Sequence, residues 1–98
     1  MITLLVNVQI KADKTAEFEA TFSKIAAIVR AKEPGTHEYR IVRSRSDAAQ
    51  YRVIEHYQSQ DAADAHRNNP DIRDLLTSLG ETLAGKPSLE IFDEVAPG

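Results

Sequence analysis

The chain begins on a strict two-residue alternation. Ile2, Leu4, Val6, Val8 and Ile10 fill the even positions, and Thr3, Leu5, Asn7 and Gln9 fill the odd ones. A period of two predicts a strand with one face in the core. The period then lengthens: Phe18, Phe22, Ile25, Ala26 and Val29 recur at helical spacing with charged residues between them. That predicts a long amphipathic helix, capped at its start by Asp13 and stopped by Pro34–Gly35. Two β-branched and aromatic runs follow, "THEYRIVRSR" and "YRVIEHYQ", separated by "SDAAQ". They predict a hairpin. "SQDAADAHRNN" predicts a short helix capped by Ser59 or Asp61 and broken at Pro70. "PDIRDLLTSLGETLAG" predicts a second helical segment, started by Pro70, striped by Ile72, Leu75, Leu76, Leu79 and Leu83, and ended by Gly85. "PSLEIFDEV" closes the pattern as a strand.

The order β-α-β-β-α-β, with its second helix split in two, is that of an α+β, ferredoxin-like, split-βαβ domain spanning residues 1–98. Such a domain is a four-stranded antiparallel sheet with helices on one face. A sheet whose other face meets water alternates cleanly between apolar and polar residues. Leu5, Val53 and Ile54 break that alternation, and both faces of "YRVIEHYQ" mix the two kinds. The expectation is that a second copy of the chain covers this face, since symmetric dimers are the commonest way to bury one.

Composition narrows the partners. With 98 residues, 42% hydrophobic and 28% charged, the chain has the make-up of one soluble domain. A net charge of −3 argues against nucleic acid or an anionic membrane as partner. Arg40, Arg43, Arg45 and Arg52 gather around the hairpin, where solvated strand edges account for them. The absence of cysteine excludes disulfides, thiolate catalysis and Cys-ligated metal, and favours a cytoplasmic setting. The N-terminal apolar run turns polar at Lys11, short of a membrane span, and reads as a strand and not a signal.

No glycine-rich phosphate loop, nucleophile elbow or zinc-binding HExxH is present. The candidate chemistry rests on isolated polar groups. His66 falls near the end of the short helix among Ala62, Ala63 and Ala65, which leave room for a ligand; an imidazole at a helix C-terminus is also favourable for purely structural reasons. Asn7 interrupts an apolar strand, as an amide bonded at a subunit interface or as one that orients a substrate. Glu55 and Tyr57 share a strand face and His56 takes the other. Buried, Glu55 would be a proton-transfer group; paired with Arg40 or Arg52, a structural one. His37 and Tyr39 share a face by the same counting. His37, His56 and His66 lack the close spacing of metal-binding pairs, so no metal site is expected.

On these residues the chain resembles the antibiotic biosynthesis monooxygenase superfamily. "EPGTHEYRI" and "VIEHYQSQDAADAHRNNPDIRDLL" are similar to its pattern at Glu33-Pro34-Gly35, Tyr39, Glu55-His56-Tyr57, Ala62 to His66 and the Pro70 break. The resemblance implies a dimeric α/β barrel of two ferredoxin-like subunits. It also implies cofactor-free oxidation of a quinol or polyketide-like aromatic by dioxygen. His66 would be the base, Asn7 the orienting amide, Tyr39 and Tyr57 pocket walls, and Glu55 the group that orients a neighbour. Haem-degrading relatives carry a histidine on the next helix, where this chain has Leu75 and Leu76, so haem is not expected. A branch that processes a phosphorylated signal molecule is an alternative; it would need a phosphate site from Arg40, Arg52, Arg67 or Lys24. A non-catalytic dimeric module binding a small ligand is a third reading.

Overall fold

The structure, a computed structural model, describes residues 1–97. Among them, four strands and three helices follow one another as β1 (Ile2–Gln9), α1 (Thr15–Lys32), β2 (Thr36–Arg43), β3 (Gln50–Tyr57), α2 (Gln60–Arg67), α3 (Arg73–Gly80) and β4 (Ser88–Asp93). All pairings are antiparallel in the order β2-β3-β1-β4. This is the ferredoxin-like α+β arrangement, with the two strands of the β2–β3 hairpin on one side of β1 and the C-terminal strand on the other.

Register decides which side chains meet the helices. Val8 lies opposite Tyr51, Val6 opposite Val53 and Leu4 opposite Glu55. Ile41 and Tyr39 extend those rows onto β2, and Leu89 and Ile91 extend them onto β4. Helix α1 closes over this face with Phe18, Phe22, Ile25 and Val29, all buried. Phe18 packs on Tyr51 with ring centroids 4.8 Å apart, and Phe22 stacks on Tyr39 at 4.7 Å. Ile25 and Val29 meet Ile72, which is fully buried in the turn before α3. Each such side chain withdrawn from water contributes about 1.5–3 kcal/mol. Those contacts tie α1 and the α3 segment to each other and to the sheet.

Three local expectations need correction. Helix α1 starts at Thr15 after a turn closed by the Lys14 N–H on the Lys11 carbonyl; Lys14 is the N-cap residue and Asp13 makes no cap. The segment after Pro70 is shorter than its leucine stripe implies: α3 runs only from Arg73 to Gly80, and Leu83 bridges to Ile10 as extended backbone. Finally, a β-bulge between Thr36 and Glu38 breaks the alternation of β2. An extra residue turns the strand locally. Thr36 and Tyr39 therefore both face the helices, while His37 is exposed. Of the two cap candidates for α2, Ser59 is used, its side chain accepting from the Ala62 N–H at 3.2 Å.

Candidate active site

A cavity of about 400 Å³ lies between the helices and the sheet. Its walls are mostly apolar, from Leu4, Val6 and Val8 on β1, Val53 on β3, Leu76 and Leu79 on α3, and Leu89 and Ile91 on β4. Polar groups gather at one end: Tyr39, Glu55, Tyr57 and His66, with Gln60 and Arg67 beside them. A dry wall with a few convergent polar groups is the general form of a small-molecule site.

His66 is the centre of that end. It sits in the last turn of α2, 7% exposed, and lines the cavity. Nδ1 lies 2.8 Å from Glu33 Oε1 and 3.2 Å from Glu33 Oε2. Nε2 points the other way, 4.0 Å from Glu55 Oε1. Tyr39 packs on one side of the ring at 4.8 Å and Tyr57 on another at 5.6 Å. An imidazole between two carboxyl groups is thus held by aromatic contacts as well as by its hydrogen bond to Glu33.

The second carboxyl comes from the joint between α1 and β2, and its placement explains the Glu33-Pro34-Gly35 sequence. A residue before proline is pushed out of the helical region. Glu33 accordingly takes φ −120° and ψ 83°, ending α1. Its carboxylate accepts from Thr36 Oγ1 at 2.8 Å and from Asn69 Nδ2 at 2.8 Å as well as facing His66. Gly35 then lets α2 approach the sheet: a Cβ added there would stand 2.7 Å from Ala62 Cβ. Glu33 is a site residue that the sequence reading misses, although its tripeptide carries part of the family resemblance. Its partner lies 33 positions away, beyond the reach of any local spacing rule.

Glu55 is buried in the apolar wall, and burial raises its pKa above the ordinary carboxylate value. A hydrogen bond from the Tyr57 hydroxyl and the nearby His66 act in the opposite direction, while the Glu33 charge adds to the rise. The expected pairing with arginine does not occur: Arg52 points to the opposite sheet face, and Arg40 bonds Glu38. Tyr39 and Tyr57 both have phenol pKa values pushed well up, first by burial and then by Glu55. The Tyr57 hydroxyl donates a hydrogen bond to Glu55, whereas among the described residues the Tyr39 hydroxyl has no hydrogen-bond partner. Tyr39 is therefore the phenol available to a ligand.

Four of the five sequence-derived site residues are brought together: His66, Glu55, Tyr57 and Tyr39. Asn7 is not. It lies on the odd, outward face of β1, exposed, its amide donating to Ser88 Oγ at 3.2 Å. Strand alternation puts it across the sheet from the cavity, so the amide that does border the pocket is Gln60. The residues proposed for a phosphate site are also dispersed. Arg40 and Arg52 are on the outer face, Lys24 is exposed on α1, and Arg67 pairs with Asp64. Among the described residues no group of three His, Asp or Glu side chains is disposed to hold a metal ion. None of the described helices is long and apolar enough to cross a membrane.

A ferredoxin-like domain with an apolar cavity ending in a carboxylate-held histidine defines a class of small α+β proteins built around one concave site. Residues 1–77 match the family model for antibiotic biosynthesis monooxygenase, and the chain belongs to that family. Among solved structures, it is similar to a Caulobacter crescentus CB15 protein assigned to the antibiotic biosynthesis monooxygenases. The two share 35% identity over 97% of this chain and 90% of that one, with a TM-score of 0.92. A Nitrosomonas europaea protein with the same assignment is 22% identical over 98% and 100% of the two chains, with a TM-score of 0.88. SnoaB of Streptomyces nogalater, a cofactor-independent oxygenase solved as its N63A mutant, shares the fold at 22% identity over 98% and 94%, with a TM-score of 0.84. No curated protein sequence matches the chain.

Proposed function

We propose that the chain is a cofactor-independent monooxygenase for a neutral phenolic compound of the hydroquinone type, with His66 as the base. The observation that carries this reading is the placement of His66 Nε2 at the polar end of an otherwise apolar cavity. The family match and the cofactor-independent oxygenase among the fold relatives support it.

The geometry accommodates the first chemical step. Nε2 and Glu55 Oε1 are 4.0 Å apart, too far for a direct bond. A phenol hydroxyl placed off their axis on the cavity side reaches Nε2 at about 2.8 Å, a normal hydrogen-bond distance. Bound there, a phenol gives its proton to Nε2, and the Tyr39 hydroxyl is the donor at hand for the phenolate oxygen. The electron-rich phenolate passes one electron to dioxygen, and the resulting radical pair combines at a ring carbon. One oxygen atom stays on the ring and the other leaves as water. For hydroquinone itself the balance is hydroquinone plus dioxygen to hydroxybenzoquinone plus water, with every electron supplied by the substrate.

Charge at the polar end selects against anions. Glu55 stands there, with Glu33 behind His66, and the cation on the lining, Arg67, is paired with Asp64. A phosphorylated substrate would meet the Glu55 carboxyl and an arginine already paired with Asp64, so the alternative of a phosphorylated signal molecule gains no support from this site.

Oxygen uptake with a panel of substituted hydroquinones tests the proposal. Uptake by the wild type is expected to fall by about 100-fold or more in His66→Ala, the range for loss of a general base. Turnover of the same compounds under strict anaerobiosis would overturn it, as would uptake that His66→Ala leaves unchanged. We also propose that the working unit is a homodimer joined through the outer sheet face.

A further inference from the structure

We infer that Glu33 is the positioning residue of the site: it fixes His66 with its proton on Nδ1, so that the Nε2 lone pair faces the cavity. The argument is an account of donors and acceptors. Neutral imidazole carries one N–H, and which nitrogen bears it follows from what each one faces. Nδ1 faces Glu33 at 2.8 Å and 3.2 Å. The other neighbours of that carboxylate are donors: Thr36 Oγ1 at 2.8 Å and Asn69 Nδ2 at 2.8 Å. The Asn69 amide cannot be reversed without loss, because its Oδ1 already accepts from the Asp71 N–H at 2.9 Å. Everything around Glu33 therefore asks it to accept. Nδ1 must donate, and Nε2 is left bare.

Glu33 is held from two sides, by its own joint and strand and by the turn that ends the helix carrying His66. Pro34 sets its backbone, and Thr36 and Asn69 hold its oxygens from β2 and from the turn after α2. The imidazole is thus oriented from across the α2–sheet contact. A carboxylate behind a histidine base holds the productive tautomer and stabilises the imidazolium that forms when the base takes a proton. Glu33 has no access to substrate in this role; it acts through His66.

The tautomer stands on hydrogen bonding alone, while its use by a base rests on the function proposed above. The two are separable by experiment. Two-dimensional ¹H–¹⁵N NMR of the imidazole nitrogens in the full chain, without substrate and at a pH where the ring is neutral, reads the tautomer directly. A protonated, pyrrole-type Nδ1 and a bare, pyridine-type Nε2 are expected. The reverse pattern in the wild type overturns the inference, whatever the oxygen assay shows. In Glu33→Gln the near-isosteric amide presents an NH₂ that opposes one of the three donors. His66 should then lose its tautomer preference, and kcat should fall by about 10-fold or more with KM changed far less, the sign of a weakened proton-transfer step. A Glu33→Gln protein that is destabilised yet keeps the wild-type tautomer and pH–rate profile makes Glu33 structural only and overturns the inference. If that variant fails to fold, the wild-type spectrum still decides. If hydroquinones are not turned over at all, the functional reading fails and the tautomer result remains.

Discussion

Glu55 is a carboxyl group in an apolar wall, and its consequence for stability can be worked out at the level of the single residue. Burial raises its folded-state pKa above the ordinary value of 4.5. The folded protein therefore holds the Glu55 proton more tightly than the unfolded chain does. By linkage, the stability gained from this is fully present below the ordinary carboxylate pKa and is lost as pH rises through the raised folded value. Glu55→Gln keeps an oxygen to accept from Tyr57 and removes the titration. It should unfold at a higher urea midpoint than the wild type above the raised pKa, and the gain should vanish at acid pH. A gain that grows toward acid pH would contradict the direction of the shift. His66 was legible in sequence because an imidazole among alanines near a helix end is visible locally, and Glu55 and Tyr57 followed from a shared strand face. Asn7 interrupts an apolar strand, but its odd position already assigns it to the face away from Val6 and Val8. Glu33 could be found only from the tripeptide that ends its helix.

At the scale of elements, Gly35 and Ala62 control how closely α2 approaches the sheet, and so where His66 sits. Neither glycine strain nor a turn requires Gly35; contact does. An alanine there would meet Ala62 at a Cβ–Cβ approach of 2.7 Å. Overpacking of this kind costs about 1–3 kcal/mol, against about 0.4–1 kcal/mol gained by restricting the unfolded chain. Gly35→Ala should therefore be destabilising. Ala62→Gly should restore the space at a helix-propensity cost of up to about 1 kcal/mol, so the double variant should lose less stability than the two single variants together. Urea denaturation across the four proteins measures this; additivity within about 0.5 kcal/mol would mean that the contact carries no strain. Element order, strand parity and the proline breaks were legible because they rest on local periodicity. The bulge at His37, the early end of α3 and the start of α1 were not, because each is decided by pairing or packing with a distant segment. The bulge, for instance, exists only in the register of β2 against Tyr57 and His56.

The whole molecule leaves one sheet face without a helical layer, and this is where the proposed dimer is tested. Leu5 and Ile54 are paired neighbours on the two central strands of that face. Val42 and Phe92, each 41% exposed, continue the apolar surface onto the two edge strands. Arg40, Arg52, Glu38 and Glu90 surround them, so charges of both signs frame an apolar centre. That layout suits a self-complementary contact, in which one copy's acids meet the other's bases about a two-fold axis. Sedimentation at micromolar concentration should give twice the 10.9 kDa of the chain. Ile54→Glu separates interface from solvent face with particular clarity. On a face open to water, such a substitution changes stability by about 0.5 kcal/mol or less. Between two sheets it places two unpaired carboxylates near the axis, where desolvation cannot be recovered, and the dimer should dissociate. A wild-type mass of one chain, or an Ile54→Glu protein that keeps the doubled mass, would remove the outer face as the interface. The cavity and its histidine lie on the opposite face of the sheet, so dissociation should leave the His66 tautomer unchanged.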